Sequence, residues 1–417
     1  MKLSVHKGSL NGTVQAPPSK SHTHRAYMLA ALSSGISHIK SPLFGEDTNA
    51  TLDAVKMLGA EVTVNGDEVT ISGGNLHAAD NIIDCKNSGS SIRMLAGIAA
   101  GLTGKTSFTG DASLCKRPML PLLDALKELG AEVESENGCA PFSVTGKALG
   151  TEVSIRGDIS SQFISALLLG APMSPSGVKI HLTTPLASRP YVNITISAMK
   201  AHGVFVEETE DGFFVPGNQQ YKPADGFVSG DYSSAAFILA AGALTGKVTV
   251  TGLDENDPQG DKAVLDILSR FGARVSRNGD AVTVERDTLN GIDVDLSDAP
   301  DLFPIIAVVG CAAKGITRLF GAAHLAFKES NRLETTAAFL RKMGADIEAT
   351  NDGCIIRGGL TLHGAEIETL GDHRIAMAGA VAGLIADGKT VIDDISCADV
   401  SYPAFVLDLK KLGGNTE

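Results

Sequence analysis

Tryptophan is absent from the 417 residues, tyrosine and phenylalanine are few, and no cysteine pair has CxxC spacing. The core must therefore be aliphatic. The six scattered cysteines (Cys85, Cys115, Cys139, Cys311, Cys354, Cys397) form neither a disulfide framework nor a zinc motif. Free, mostly buried thiols in a reducing cytoplasm are expected. No run of about 18 apolar residues occurs, which excludes a membrane-spanning helix. The opening "MKLSVHKGSLNG" lacks the apolar stretch of a secretory signal, so none is expected. The absence of any G-x-G removes the dinucleotide-binding fingerprint. "GLTGKT" ends like a phosphate-binding loop, but Ala99 stands where that motif needs glycine, and the "GKT" leads into a strand. Positive charge is also in deficit. At a net charge of −13 the chain would be repelled by nucleic acid and by anionic membranes, so neither is an expected partner.

What the chain has is glycine, 46 in all, and much of it is periodic. "MLGAEVTVNGDEVTISGG" returns as "ELGAEVESENGCAPFSVTGK", "AHGVFVEETEDGFFVPGN", "RFGARVSRNGDAVTVERD" and "KMGADIEATNDGCIIRGG", and the chain stops at "KLGGNTE". The first glycines fall at 59, 130, 203, 272, 344 and 413, at intervals of 69 to 73 residues. Apolar helix-like runs end in turns at Gly35, Gly104, Gly177, Gly246, Gly315 and Gly388 on the same beat. Each copy reads as an apolar helix, a glycine turn, a β-run, a second helix ending at glycine, and a β-hairpin. The sixth copy stops without its hairpin, and the N-terminus begins with one. Residues 1–13 are therefore expected to complete the last repeat. This gives a discontinuous lobe of residues 1–13 and 229–417 and a continuous lobe of residues 14–228, three repeats each.

Counting back 14 residues from each turn glycine reaches Ser21, Ser90, Phe163, Tyr232, Asp301 and Arg374, at or near six helix N-termini. Ser, Asp and Asn there serve as ordinary caps. Lys20, Arg25, Arg93 and Arg374 do not, because a cation opposes the helix dipole at that end. Their presence fits an anion held between dipole and side chain. Lys116, Arg117, Arg189, Lys328 and Arg332 stand outside this phase, and any one of them alone reads as a surface residue. Together they suggest a substrate with several anionic groups in a cleft between lobes. His22 and His24, two residues apart with no obvious carboxylate partner, read as solvated or anion-facing rather than as metal ligands.

"PPSKSHTHR", "NSGSSIR", "KRP", "SSQF", "SRPY", "PD" at 300–301, "KESNR", "GDHR" and "SYPAF" follow one another along nearly the whole chain. In this order and spacing they resemble the 5-enolpyruvylshikimate-3-phosphate synthases, a branch of the enolpyruvyl transferases. The resemblance implies a two-lobed α/β fold of six βαβαββ units, an inside-out α/β barrel. It implies transfer of the enolpyruvyl group of phosphoenolpyruvate to the 5-hydroxyl of shikimate 3-phosphate, with phosphate released and no metal or organic cofactor. By motif, Lys20, Ser21, Arg25, Ser160, Ser161, Gln162, Ser188, Tyr191, Asp301, His324 and Lys328 would face shikimate 3-phosphate. Lys20, Gly89, Arg117, Gln162, Arg332 and Arg374 would hold phosphoenolpyruvate. The catalytic residues would be Asp301, which takes the 5-hydroxyl proton, Glu329, which protonates the methylene carbon, and Lys20, a point charge between carboxylate and phosphate. The resemblance also implies a cytoplasmic enzyme and a target of glyphosate, which would contact Gly89. A monomer is expected.

Three positions depart from the family pattern. Val400 stands where many members have a lysine near phosphoenolpyruvate, Met94 replaces a proline, and His324 takes a place often held by asparagine. The related UDP-N-acetylglucosamine enolpyruvyl transferases are disfavoured. Their "SGAKNA"-like segment is missing, and Ala112 occupies the place of their reactive cysteine. An RNA 3′-phosphate cyclase-like enzyme would need an ATP site and a nucleophilic histidine. A non-catalytic repeat scaffold would tolerate replacement of Lys20, Asp301, Glu329 and Arg374.

Overall fold

The helix Tyr232–Thr245, "YSSAAFILAAGALT", has no polar face, and every one of its residues is buried. A helix apolar all round must be enclosed by other elements. In the computed structural model, which describes residues 1–146 and 149–417, it is one of six inner helices. Lys20–Leu32, Gly89–Ala100 and Ser161–Gly170 lie in one compact unit. Tyr232–Thr245, Phe303–Ala312 and His373–Gly383 lie in the other. Within the first unit two inner helices pack backbone to backbone. A Cβ on Gly97 would sit 2.1 Å from the Ala166 carbonyl oxygen, and one on Gly170 would sit 2.3 Å from that of Gly97. Only glycine fits at either place.

Sheets lie outside the helices, five of four strands and one of three among the described residues. Lys247–Thr251 shows the pattern. It pairs in parallel with Asn11–Gln15 and antiparallel with Ala281–Glu285, which in turn pairs with Arg274–Asn278. Val14, Val248, Val250, Val282 and Val284 are buried on one face of this sheet, as a period of two requires. The glycine that closes the preceding outer helix, Gly272, has φ +113°, and a Cβ there would stand 2.4 Å from the Thr288 carbonyl oxygen. Six such units, helices inside and sheets outside, make the inside-out α/β architecture that the repeat implied. Each unit of three has its own aliphatic core.

The N-terminal segment departs from expectation. Residues 1–13 do not form a hairpin that completes the sixth repeat. Leu3–His6 does join the last sheet, antiparallel to Lys389–Ile392. Asn11–Gln15 goes instead to the fourth repeat, where it supplies the parallel strand beside Lys247–Thr251. The sixth sheet therefore has three strands, in the order Leu3–His6, Lys389–Ile392, Glu366–Ile367. Because Asn11–Gln15 is hydrogen-bonded along its length, the chain divides after Pro17, not after residue 13, into residues 1–17 with 229–417 and residues 18–228. The second crossing mirrors the first. Gly226–Phe227 pairs in parallel with Ile39–Lys40, so the strand that leads into Tyr232–Thr245 belongs to the sheet of the first repeat. The crossing segments meet where the Asp231 N–H donates to the Pro17 carbonyl at 2.8 Å. All six cysteines are free. Among the described residues no helix is long and apolar enough to cross a membrane.

Candidate active site

In the unit of residues 18–228, most candidate site side chains lie at or near the starts of helices. Ser19 caps Lys20–Leu32, its hydroxyl accepting from the His22 N–H at 3.4 Å. Lys20 Nζ donates to Asp47 Oδ2 at 2.9 Å, and both side chains are nearly buried. One turn on, Arg25 is 2% exposed. Its guanidinium donates to Thr195 Oγ1 at 2.7 Å, the Ser21 carbonyl at 2.8 Å and the Tyr191 carbonyl at 3.0 Å. All three acceptors are neutral. Burial accordingly pushes its pKa down to about 10, with a smaller opposing contribution from Tyr191. A buried cation with only neutral partners is incomplete without an anion.

Gly89 opens the next inner helix, behind its cap Ser88. A Cβ at Gly89 would lie 3.2 Å from Arg93 Nη1, 3.3 Å from Arg117 Nη1 and 3.6 Å from Gln162 Oε1. Two guanidinium ends and an amide thus surround a helix N-terminus that carries no side chain. Arg93 donates to Gln162 Oε1 at 2.6 Å and lies over the Phe163 ring, while Gln162 Nε2 donates to Ser90 Oγ at 2.9 Å. Arg117 donates to Asn87 Oδ1 and, at 3.3 Å, to Ser113 Oγ. Ser160 caps the third inner helix, which Ser161 begins. Ser188 precedes Arg189–Ala201 with φ +54°, a left-handed conformation that serine rarely adopts and that costs about 1–3 kcal/mol. Gly89, Arg117 and Gln162 are therefore together, as are Ser21, Arg25 and Tyr191.

In the other unit the charges are concentrated on Arg332, which is 1% exposed. Its Nε and Nη2 donate to the two oxygens of Asp372 at 2.8 and 3.2 Å. Nη1 donates to Asp301 Oδ1 at 2.7 Å, and Nη2 also donates to Glu329 Oε2 at 2.6 Å. Burial opposes this charge, but Asp372, Glu329 and Asp301 outweigh it and hold the pKa above its ordinary value. Arg374 reaches the second oxygen of Asp301 at 3.0 Å, so Asp301 lies between two guanidiniums. Asp372 caps His373–Gly383 and also accepts from Ser330 Oγ at 3.0 Å. His324 is pushed down to about 4, by burial first and then by Lys328, with Asp301 opposing. It is a neutral ring close to both residues. Asp301, Glu329, Arg332, Arg374, His324 and Lys328 thus form one cluster. Val400 ends the turn Ser396–Val400, followed by Ser401, whose carbonyl accepts from Ser234 Oγ at 3.3 Å.

The sequence reading missed the partners. Asp47 and Thr195 lie in stretches with no unusual pattern, and Asn87 opens "NSGSSIR" without any local sign that it pairs with Arg117. Asp372 lies inside "GDHR", where a capping role concealed its pairing with Arg332. Asp261 was also missed. It accepts from Ser233 Oγ, and its pKa is pushed up to about 7, by burial first and then by Asp301, with Arg374 opposing and Asp231 adding. A carboxyl raised in this way contributes stability that is fully present below its unfolded value, about 4, and lost as pH rises through the folded value. Asp261→Asn, which can still accept from Ser233, is expected to abolish that decline. Chemical unfolding at about pH 5 and pH 8 measures it, and parallel pH profiles for the two proteins would overturn the assignment.

The fold defines a class. The enolpyruvyl transferase NikO from Streptomyces tendae matches with a TM-score of 0.82 over 100% of this chain and 98% of that one, and at 18% identity the likeness shows the shared architecture alone. The family follows from sequence: residues 5–409 match the model of the EPSP synthases (3-phosphoshikimate 1-carboxyvinyltransferases), and the chain belongs to that family. A 3-phosphoshikimate 1-carboxyvinyltransferase of Methanocorpusculum labreanum is 60% identical, covering 100% of this chain and 99% of its own length. The structure of EPSP synthase from Acinetobacter baumannii, 30% identical, matches with a TM-score of 0.85 over 100% of this chain and 99% of that one.

Proposed function

We propose that this chain transfers the enolpyruvyl group of phosphoenolpyruvate to the 5-hydroxyl of shikimate 3-phosphate, releasing phosphate. The observation that carries the reading is Arg25, a buried guanidinium held only by neutral oxygens, in the same unit as a helix end ringed by Arg93 and Arg117. Membership of the family supplies the anions. In this reading Ser21, Arg25, Ser160, Ser161, Gln162, Ser188 and Tyr191 bind shikimate 3-phosphate, with His324 and Lys328 near its ring. Lys20, Gly89, Arg117, Gln162, Arg332 and Arg374 bind phosphoenolpyruvate, where arginines give planar two-point contacts and Lys20 a point charge.

The chemistry follows from two of the three carboxylates on Arg332, Asp301 and Glu329. Glu329 gives a proton to the methylene carbon of phosphoenolpyruvate, which makes C2 electrophilic. The 5-hydroxyl oxygen bonds to C2 as its proton passes to Asp301. Phosphate then leaves C2 with the proton held on Asp301, and a methyl proton returns to the Glu329 carboxylate, which restores the double bond. The guanidiniums and Lys20 offset the charge that builds on carboxylate and phosphate. The protein is taken to act in the cytoplasm as a monomer, with small molecules as its partners, and glyphosate is expected to compete at Gly89.

The test is phosphate release from phosphoenolpyruvate, measured with shikimate 3-phosphate and, separately, with UDP-N-acetylglucosamine. Release only with the former is expected. Release only with the latter, or with neither, would overturn the proposal.

A further inference from the structure

His24 belongs to the histidine pair that the functional reading leaves unused, and it is fully buried. Its Nδ1 lies 2.7 Å from Thr51 Oγ1 on the next helix. Thr51 Oγ1 lies 2.6 Å from Ser91 Oγ, and Ser91 Oγ donates at 2.6 Å to Ser88 Oγ, the cap of the helix that Gly89 opens. Both Thr51 and Ser91 also approach the Asp47 carbonyl, at 3.4 and 3.3 Å. The Asp47 carboxylate holds Lys20, and its other oxygen has no hydrogen-bond partner among the described residues. One polar frame therefore joins the first turns of two inner helices to the Lys20 counter-ion.

Protons in this frame can be counted. Burial, with Lys20 and Arg25 adding, holds the His24 pKa well below its ordinary value, so the ring is neutral and carries one N–H. Nε2 has no partner among the described residues. A buried N–H without an acceptor is costlier than a buried lone pair without a donor. The hydrogen therefore belongs on Nδ1. With the hydrogen on Nδ1, His24 donates to Thr51, and the Thr51 hydroxyl hydrogen is then left for Ser91 Oγ or the Asp47 carbonyl. Where Thr51 donates to Ser91 and Ser91 to Ser88, one chain of donors runs from His24 to the cap of the Gly89 helix.

We propose that His24 is a positioning residue for phosphoenolpyruvate, fixing the direction of this hydroxyl chain and the placement of Lys20, Asp47 and the Gly89 helix end. This rests on the functional reading above. His24→Leu is expected to raise KM for phosphoenolpyruvate about fivefold to tenfold, the worth of roughly one hydrogen bond, with kcat and KM for shikimate 3-phosphate nearly unchanged. His24→Asn, whose amide can donate to Thr51, is expected to restore most of the loss, and Thr51→Val to reproduce it. Nitrogen NMR of histidine-labelled protein, with His24 identified by its disappearance in His24→Asn, is expected to show the hydrogen on Nδ1 and no titration near pH 6.5. A hydrogen on Nε2, or lowered thermal stability in His24→Leu with KM unchanged, would overturn the proposal. No turnover in the unaltered protein would instead overturn the functional reading, and the tautomer would then decide whether the frame exists.

Discussion

Asp301→Ala and Glu329→Gln are each expected to lower turnover at least about 100-fold, the lower range for a positioned acid or base. Initial rates of phosphate release at saturating substrates measure the effect. Both residues are bound to one guanidinium, Asp301 through Nη1 and Glu329 through Nη2 of Arg332, so their separation is set by a rigid planar group. Asp301→Asn sharpens the test. It can still accept one hydrogen bond from Arg332 or Arg374 but cannot take a proton from a hydroxyl. Loss of rate in Asp301→Asn with substrate binding retained separates proton acceptance from positioning. Near-normal turnover in either Asp301→Ala or Glu329→Gln would remove that residue from the mechanism.

Arg332→Met is expected to destabilise its unit by about 3–5 kcal/mol, the cost of leaving buried carboxylates without their counter-charge. Asp372 is fully buried and loses both of its guanidinium contacts, while Asp301 keeps Arg374. Arg332→Lys is not expected to rescue, since one ammonium cannot span three carboxylates in a plane. The deficit should shrink on acidification, because a protonated carboxyl no longer needs a counter-charge. Denaturant unfolding followed at two pH values tests both points. A loss of under about 1 kcal/mol would show the cluster to be exposed to solvent in solution.

The period of the fold was legible in the sequence because turns after helices demand residues free to take positive φ, as at Gly272. The cations were legible because they oppose the dipole at the helix starts where they occur. Their partners were not. Thr195 lies 170 residues from Arg25, and Asp47 lies 27 from Lys20, with nothing local to mark either. Asp372 has a local role, capping His373–Gly383, that satisfied the sequence reading before its second role could appear. The N-terminal segment misled for a related reason. Two strands beside a turn read as a hairpin, and only pairing across more than 230 residues shows that they part.

The Ser4 N–H donates to the Glu417 carbonyl at 2.8 Å, and the Glu417 N–H returns a bond to the Ser4 carbonyl at 2.9 Å, so the segments at residues 4 and 417 are held side by side. A gene rearranged to start at Ser229, run through codon 417 and continue by a short linker into codons 1–17 would encode the discontinuous unit as one uninterrupted reading frame. The residues left over, 18–228, already contain Gly226–Phe227 and so their own parallel strand for the first repeat. In genetic terms, residues 18–228 stand as an insert within the reading frame of the other unit, and the junctions are at Pro17 and Ser229.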